Sequence, residues 1–235
     1  MDKITEIKRL LREPIENAPT MAQRFFKTGV GDYAEHDQFL GVKVPMVRKI
    51  AQAYGTLTLE EIHHLISSPF NEERLTALFI LVQRYQKASA PVKEEIYQFY
   101  LSNLNHVNNW NLVDSSAHLI MGAHLWERDK NILLKLASSP DLWHRRIAIV
   151  STWYFIGKRE MDWTFKLSEV LIADPHDLIH KAVGWMLREA GKRDQSLLIK
   201  FLDQHAKTMP RTMLRYSIEK FPEELRKAYL GLKNA

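Results

Sequence analysis

The chain has 235 residues, 46% hydrophobic and 26% charged, with a formal net charge of +5 and no cysteine. That apolar content suffices for a sizeable core, and the lack of cysteine excludes disulfides and thiolate-held metals, which fits a reducing compartment. No apolar run approaches the ~18 residues of a membrane span, and MDKITEIKRLLREPIENAP is charged throughout, without a signal peptide's apolar stretch. A cytoplasmic monomer with no membrane partner is expected.

The charge is unevenly placed. Residues 181–235 carry 12 Lys/Arg against 6 Asp/Glu, whereas the first 180 carry 21 against 22. A polyanionic partner explains the excess, and so does a solvated basic surface.

In chain order, Thr58-Leu-Glu-Glu61 is a capping box that predicts a short amphipathic helix. Asn71 to Lys87 predicts a long one. Alternating β-branched runs and Asn-Gly or Asp-Gly hairpin turns are missing, so an all-α fold is expected. Three segments align without gaps: SSPFNEERLTALFILVQRYQK (67–87), SSPDLWHRRIAIVSTWYFIGK (138–158) and ADPHDLIHKAVGWMLREAGKR (173–193). Their prolines, Pro69, Pro140 and Pro175, are followed by Pro210, at spacings of 71, 35 and 35. The first interval is two periods and hides a repeat that begins near Leu104 or Asn105. A period of about 35 residues with two helices each predicts a curved solenoid of stacked helical repeats, an α-α superhelix. With no TPR consensus, the looser HEAT-like type is expected, as a single domain over 1–235 with a concave binding face.

Helical periodicity separates core from exposed positions. In the helix beginning near Asn109, Leu112, Val113, Ser116, Leu119 and Ile120 cluster on one side. Trp110 and Asp114, four apart, share a stripe away from it. In 178–190 the core side is Ile179, Val183, Met186, Leu187 and Ala190, with Trp185 opposite, beside Lys181 and Arg188. Counted from the repeat proline, Lys181 and Trp185 hold positions six and ten; Trp110 and Asp114 hold the same two if their repeat starts at 104. Arg146 and Tyr216 hold position six in two other repeats. Tryptophan in a helix usually belongs to the core, but two tryptophans beside charged residues and off the core stripe suggest a binding site. Arg146 lies in a helix apolar almost all round, which leaves open both the groove and an internal salt bridge.

The segments NNWNLVD (108–114), LWHRRIAIV (142–150) and KAVGWMLRE (181–189), with FLGVKVP (39–45) and PRTMLRYSIEKF (210–221), resemble the motifs of the AlkD-like DNA alkylation-repair glycosylases, HEAT-like solenoids themselves. The resemblance spans nearly the whole chain. It implies that Asp114 is the catalytic carboxylate, that Trp110 and Trp185 are aromatic walls beside the lesion nucleotide, and that Arg146 contacts the DNA backbone. Phe25 best matches a further aromatic of the family site. Phe25, Lys181, Arg188, Arg211 and Tyr216 complete the expected DNA-contacting set. Asn111 stands where the family often has Asp, and Phe25 lacks a tyrosine hydroxyl.

The implied partner is double-stranded DNA with alkylated bases. A purine alkylated at N3 or N7 is cationic and departs as a neutral molecule, so no general acid is needed. One carboxylate then suffices to stabilise the sugar cation and orient water. No metal or cofactor is expected: Walker A, HExxH and Cys/His zinc spacings are missing, His63-His64 and His118/His124 lack metal-ligand spacing, and Gly29-Val-Gly31 is too short for a dinucleotide fingerprint. The competing readings are a catalytically inactive DNA-binding relative that recognises unusual DNA structure, and a peptide-binding HEAT scaffold.

Overall fold

The computed structural model describes residues 2–13 and 26–232. Among them no strand forms; Gln38 and Phe70 make an isolated parallel bridge. No helix is long and apolar enough to cross a membrane. The chain divides into two compact units, Met1–Ser116 and Ala117–Ala235.

The first unit is built around one long helix. Its described helices are α1 (Lys3–Leu11), α2 (Val44–Ala53), α3 (Leu59–Ile66), α4 (Asn71–Lys87), α5 (Ala90–Ser102) and α6 (Trp110–Ser116), with a 3₁₀ turn at Leu104–His106. In α1, Ile4, Ile7 and Leu11 follow the helical period and are buried. On its other side Arg12 reaches the buried Glu73 carboxylate at 2.5 Å, and Lys8 lies 3.6 Å from it. The predicted capping box opens α3: the Glu61 backbone N–H donates to Thr58 Oγ1 at 3.2 Å, and the Thr58 N–H donates to the Glu61 carboxylate at 2.7 Å. Helix α4 has the predicted bounds and packs against α1, α2, α3 and α6. Contact on so many sides explains why its N-terminal three-quarters, charged residues included, is buried.

The second unit begins with a π turn at His118–Gly122. It continues through α7 (Ala123–Leu125), α8 (Asn131–Ala137), α9 (Leu142–Gly157), α10 (Asp162–Val170), α11 (Asp177–Gly191), α12 (Gln195–His205), α13 (Arg211–Ser217) and α14 (Glu223–Gly231). Asp141 opens α9 by accepting from the N–H groups of Trp143 and His144. Ile179, Val183, Met186, Leu187 and Ala190 are buried along α11, as its periodicity predicts. Two glycines set the closest approaches. A Cβ on Gly122 would lie 2.2 Å from the Ser151 carbonyl oxygen, and one on Gly184 would lie 2.5 Å from that of Met213. Only glycine lets the π turn rest on α9, and α11 on α13, at these distances.

One hydrogen-bond pattern recurs in the three aligned segments. Arg74, five residues after Pro69, donates to the carbonyls of Ser68 at 2.9 Å and Pro69 at 3.1 Å. Arg145, five after Pro140, donates to Ser139 at 3.0 Å and Pro140 at 2.8 Å. His180, five after Pro175, bonds the carbonyl of Asp174. The helix's second turn folds back to satisfy the carbonyls of the turn that starts it. The two arginines are also paired with carboxylates, Arg74 with Asp37 and Arg145 with Asp174. The alignment of the three segments therefore has a physical basis in a shared turn.

Candidate active site

In the first unit the segment 38–45 is pinned onto the start of α4. Glu72 accepts from the backbone N–H groups of Leu40 at 3.0 Å and Gly41 at 2.7 Å, and Gly41 has φ +80°, a conformation that favours glycine. This loop, α4 and α6 enclose a cleft of about 560 Å³ with predominantly apolar walls, including Phe26, Phe39, Val42, Leu75, Trp110 and Asp114. Phe26 stacks on Phe39 (centroids 4.5 Å apart) and on Trp110 (5.1 Å). Three rings thus make one wall. Two carboxylates line the cleft; Glu72 holds the loop, and Asp114, half-buried, is the other.

Beneath Trp110 lies a buried polar network. Asn109 is fully buried; its Oδ1 accepts from the Trp110 backbone N–H at 2.7 Å, and its Nδ2 donates to Asp37 at 2.6 Å. Asp37 also accepts from Asn71 at 3.0 Å and pairs with Arg74. Asn111 and Asn71 exchange amide hydrogen bonds at 2.7 and 3.3 Å. Asn111 therefore serves to tie α6 to α4, where an aspartate would have faced the Asn71 carbonyl oxygen with no proton to give.

In the second unit Trp185 is half-buried on α11, its ring in a T-shaped contact with that of Trp153 of α9, centroids 4.9 Å apart. Trp153 in turn lies 4.4 Å from the His118 ring of the π turn. Burial pushes the His118 pKa down to about 4, so the ring is neutral near pH 7. Lys181 is 2.7 Å from Asp177, and this bond holds the Asp177 carboxyl below the usual carboxylate range.

The candidate residues differ in their surroundings. Trp110 and Asp114 share the first cleft, and Lys181, Trp185 and Arg188 lie on α11. Arg188 pairs with Glu189 at 3.2 Å and with Glu219. Tyr216 is exposed. Arg146 is only 5% exposed and donates to the Leu178 carbonyl at 2.6 Å; these surroundings favour the internal alternative over the groove. Arg211 donates to the carbonyls of Leu230 at 2.7 Å and Leu232 at 3.4 Å, closing the end of α14. Phe25 lies outside the described residues. Among the described residues, no three His, Asp or Glu side chains are grouped to hold a metal ion.

The model of the family of DNA alkylation repair enzymes matches residues 8–221. The chain belongs to that family. Its architecture is the family's helical-repeat fold: a predicted DNA alkylation repair enzyme from Enterococcus faecalis superposes with a TM-score of 0.68 at 15% identity, over 91% of this chain and 99% of that one. The protein smu.31 from Streptococcus mutans UA159 superposes with a TM-score of 0.53 at 16% identity, over 94% and 100%. No curated protein matches the sequence. For a member of this repair family, DNA is the implied substrate.

Phe26, Phe39, Trp153 and the Asp37–Arg74 pair were not singled out by sequence reasoning. Phe39 was within reach, because it opens the FLGVKVP motif whose loop forms the cleft wall.

Proposed function

We propose that the protein is a monofunctional DNA glycosylase that hydrolyses the N-glycosidic bond of cationic N3- or N7-alkylated purines in duplex DNA. The observation that carries this reading is Asp114 on the wall of an apolar, aromatic-lined cleft, next to Trp110. In the reaction the bond from C1′ to the base nitrogen breaks, and its electron pair neutralises the charge on the alkylated base. Water adds to C1′ and yields its proton to the Asp114 carboxylate, leaving an abasic sugar and a neutral free base. The carboxylate stabilises the oxocarbenium-like sugar meanwhile, an electrostatic role that gains strength where apolar walls exclude water. An indole face attracts a cation by about 0.5–2 kcal/mol, which would let Trp110 in the cleft favour a cationic base over a neutral one, and the same preference is proposed for Trp185. We further propose that the chain acts as a single repeat domain and a monomer without metal or cofactor, with Lys181, Arg188 and Tyr216 contacting the DNA.

The direct test is incubation with methylated duplex in the presence of a chelator, followed by analysis of the released bases. Release of 3- and 7-methylpurines at an unreduced rate is expected. Retention of salt-sensitive duplex binding without any release would instead favour a catalytically inactive DNA-binding relative. Absence of both would favour a peptide-binding scaffold.

The phosphate contacts have their own measurement. Lys181 must exchange Asp177, a mostly exposed partner, for a phosphate, which costs little in water. Lys181→Ala should therefore flatten the slope of log affinity against log salt by about 0.9 for any duplex sequence. A slope equal to the wild type's would remove Lys181 from the interface.

A further inference from the structure

We propose that Trp153 is the positioning residue for Trp185: its indole, in contact with the rings of both His118 and Trp185, fixes the orientation in which Trp185 meets a cationic base. The inference rests on the reading of Trp185 as a lesion-facing wall, and it concerns a residue that reading does not use.

The geometry that points to it lies within the second unit. Trp153 and Trp185 meet edge-to-face, centroids 4.9 Å apart with planes inclined at 63°. In that arrangement the positive edge of one ring contacts the negative face of the other, so the contact is directional. An indole on a helix rotates about χ1 and χ2, and its face attracts a cation only when it is turned toward it. A half-buried tryptophan with no neighbouring ring would sample several rotamers, and that freedom would be lost on binding. Trp153 removes the freedom in advance.

Trp153 also meets a second ring. His118 lies 4.4 Å away, in the π turn that rests on α9 through Gly122. Because burial keeps His118 neutral near pH 7, the packing there is ring on ring, with no buried charge to be solvated. π turns inside helices often accompany functional sites, and here the turn delivers a ring to Trp153. On the far side, the close approach of Gly184 to α13 fixes the backbone of the residue preceding Trp185. Backbone and ring of Trp185 are therefore constrained by two different devices, and only the second involves Trp153.

The test is a double-substitution cycle read as selectivity. Affinities of the full chain are measured for a duplex carrying one 7-methylguanine and for the same duplex undamaged. Trp153→Leu should lower the ratio of the two affinities by roughly 3- to 10-fold, the scale of one cation–π contact. Trp153→Phe, which keeps a ring at the contact, should recover most of the ratio. In the Trp185→Ala background Trp153→Leu should have no further effect, because there is no indole left to orient. Thermal denaturation accompanies each variant; if Trp153→Leu does not fold, Trp153→Met takes its place in the cycle. A folded Trp153→Leu protein with wild-type selectivity would overturn the proposal, and so would a loss fully additive with that of Trp185→Ala. If Trp185→Ala itself leaves the ratio unchanged, the assignment of Trp185 fails and takes this proposal with it. None of these readouts requires base release, so failure of the glycosylase chemistry is seen separately.

Discussion

Asp114→Asn is expected to lower single-turnover base release from an alkylated duplex by roughly 10²–10⁴, the range of a positioned catalytic group. The substitution keeps the size and planarity of the side chain and removes its negative charge. Affinity for the duplex should remain close to the wild type's, because in the proposed mechanism the charge acts on a sugar cation that exists only on the way to the transition state. The site amplifies the effect. The cleft around Asp114 is walled by Phe26, Phe39, Val42, Leu75 and Trp110, so a nucleotide seated there would displace water from beside the carboxylate. The other carboxylate of the lining, Glu72, is bound by two backbone N–H groups of the loop and is not placed to substitute. Single-turnover conditions keep slow product release from hiding a change in chemistry. An Asp114→Asn protein that excises at the wild-type rate would end the one-carboxylate reading.

The fold was legible because its signals are local. The 3.6-residue period fixes which side of α11 is buried, and the Thr58–Glu61 capping box and the bounds of α4 appear as the sequence predicts. Prolines mark the repeats, and Arg74, Arg145 and His180, each five residues on, supply the physical reason by bonding the carbonyls of the preceding turn. In the candidate site, Trp110 and Asp114 could be paired from spacing alone, since both lie on one helix face. What periodicity could not reach are partners from distant segments. Arg146 sits in a helix that is apolar nearly all round, so no face of α9 reads as exposed, and its bond to Leu178 joins residues 32 apart. In sequence Arg211 reads as a cation for DNA, and the Leu230 carbonyl that it also meets comes from a segment 19 residues away. The ring stacked on Trp110 is Phe26, brought there by a segment with no helical period.

Asp37→Ala should have the largest effect on stability, about 3–5 kcal/mol, the usual cost of removing one partner of a buried ion pair. Asp37 is the hub beneath Trp110. Its carboxylate pairs with Arg74, both side chains being almost wholly buried, and accepts from Asn71 at 3.0 Å and Asn109 at 2.6 Å. Truncation leaves a buried guanidinium without its counter-charge and removes one acceptor from each of two asparagines. The Ser68 and Pro69 carbonyls still receive Arg74, so the helix start survives while its charge is uncompensated. Asp37→Asn should be milder, because an amide oxygen can still accept, although its NH₂ meets donors on one side. Asp177→Ala is the internal standard: it breaks the Lys181 pair, whose side chains are 40% and 54% exposed, and should cost no more than about 1 kcal/mol. Urea unfolding would show the contrast as a lower midpoint at unchanged slope for Asp37→Ala. Function should follow the same wiring. Asn109 bridges Asp37 to the backbone N–H of Trp110, so loosening it frees the first turn of α6, which carries both the indole and Asp114. Asp37→Ala should therefore slow base release even at temperatures where the protein is fully folded, whereas Asp177→Ala should not. Equal stability losses in the two variants would mean that the buried Asp37–Arg74 pair contributes no more than an exposed one, and the positioning of α6 would have to come from its apolar face alone.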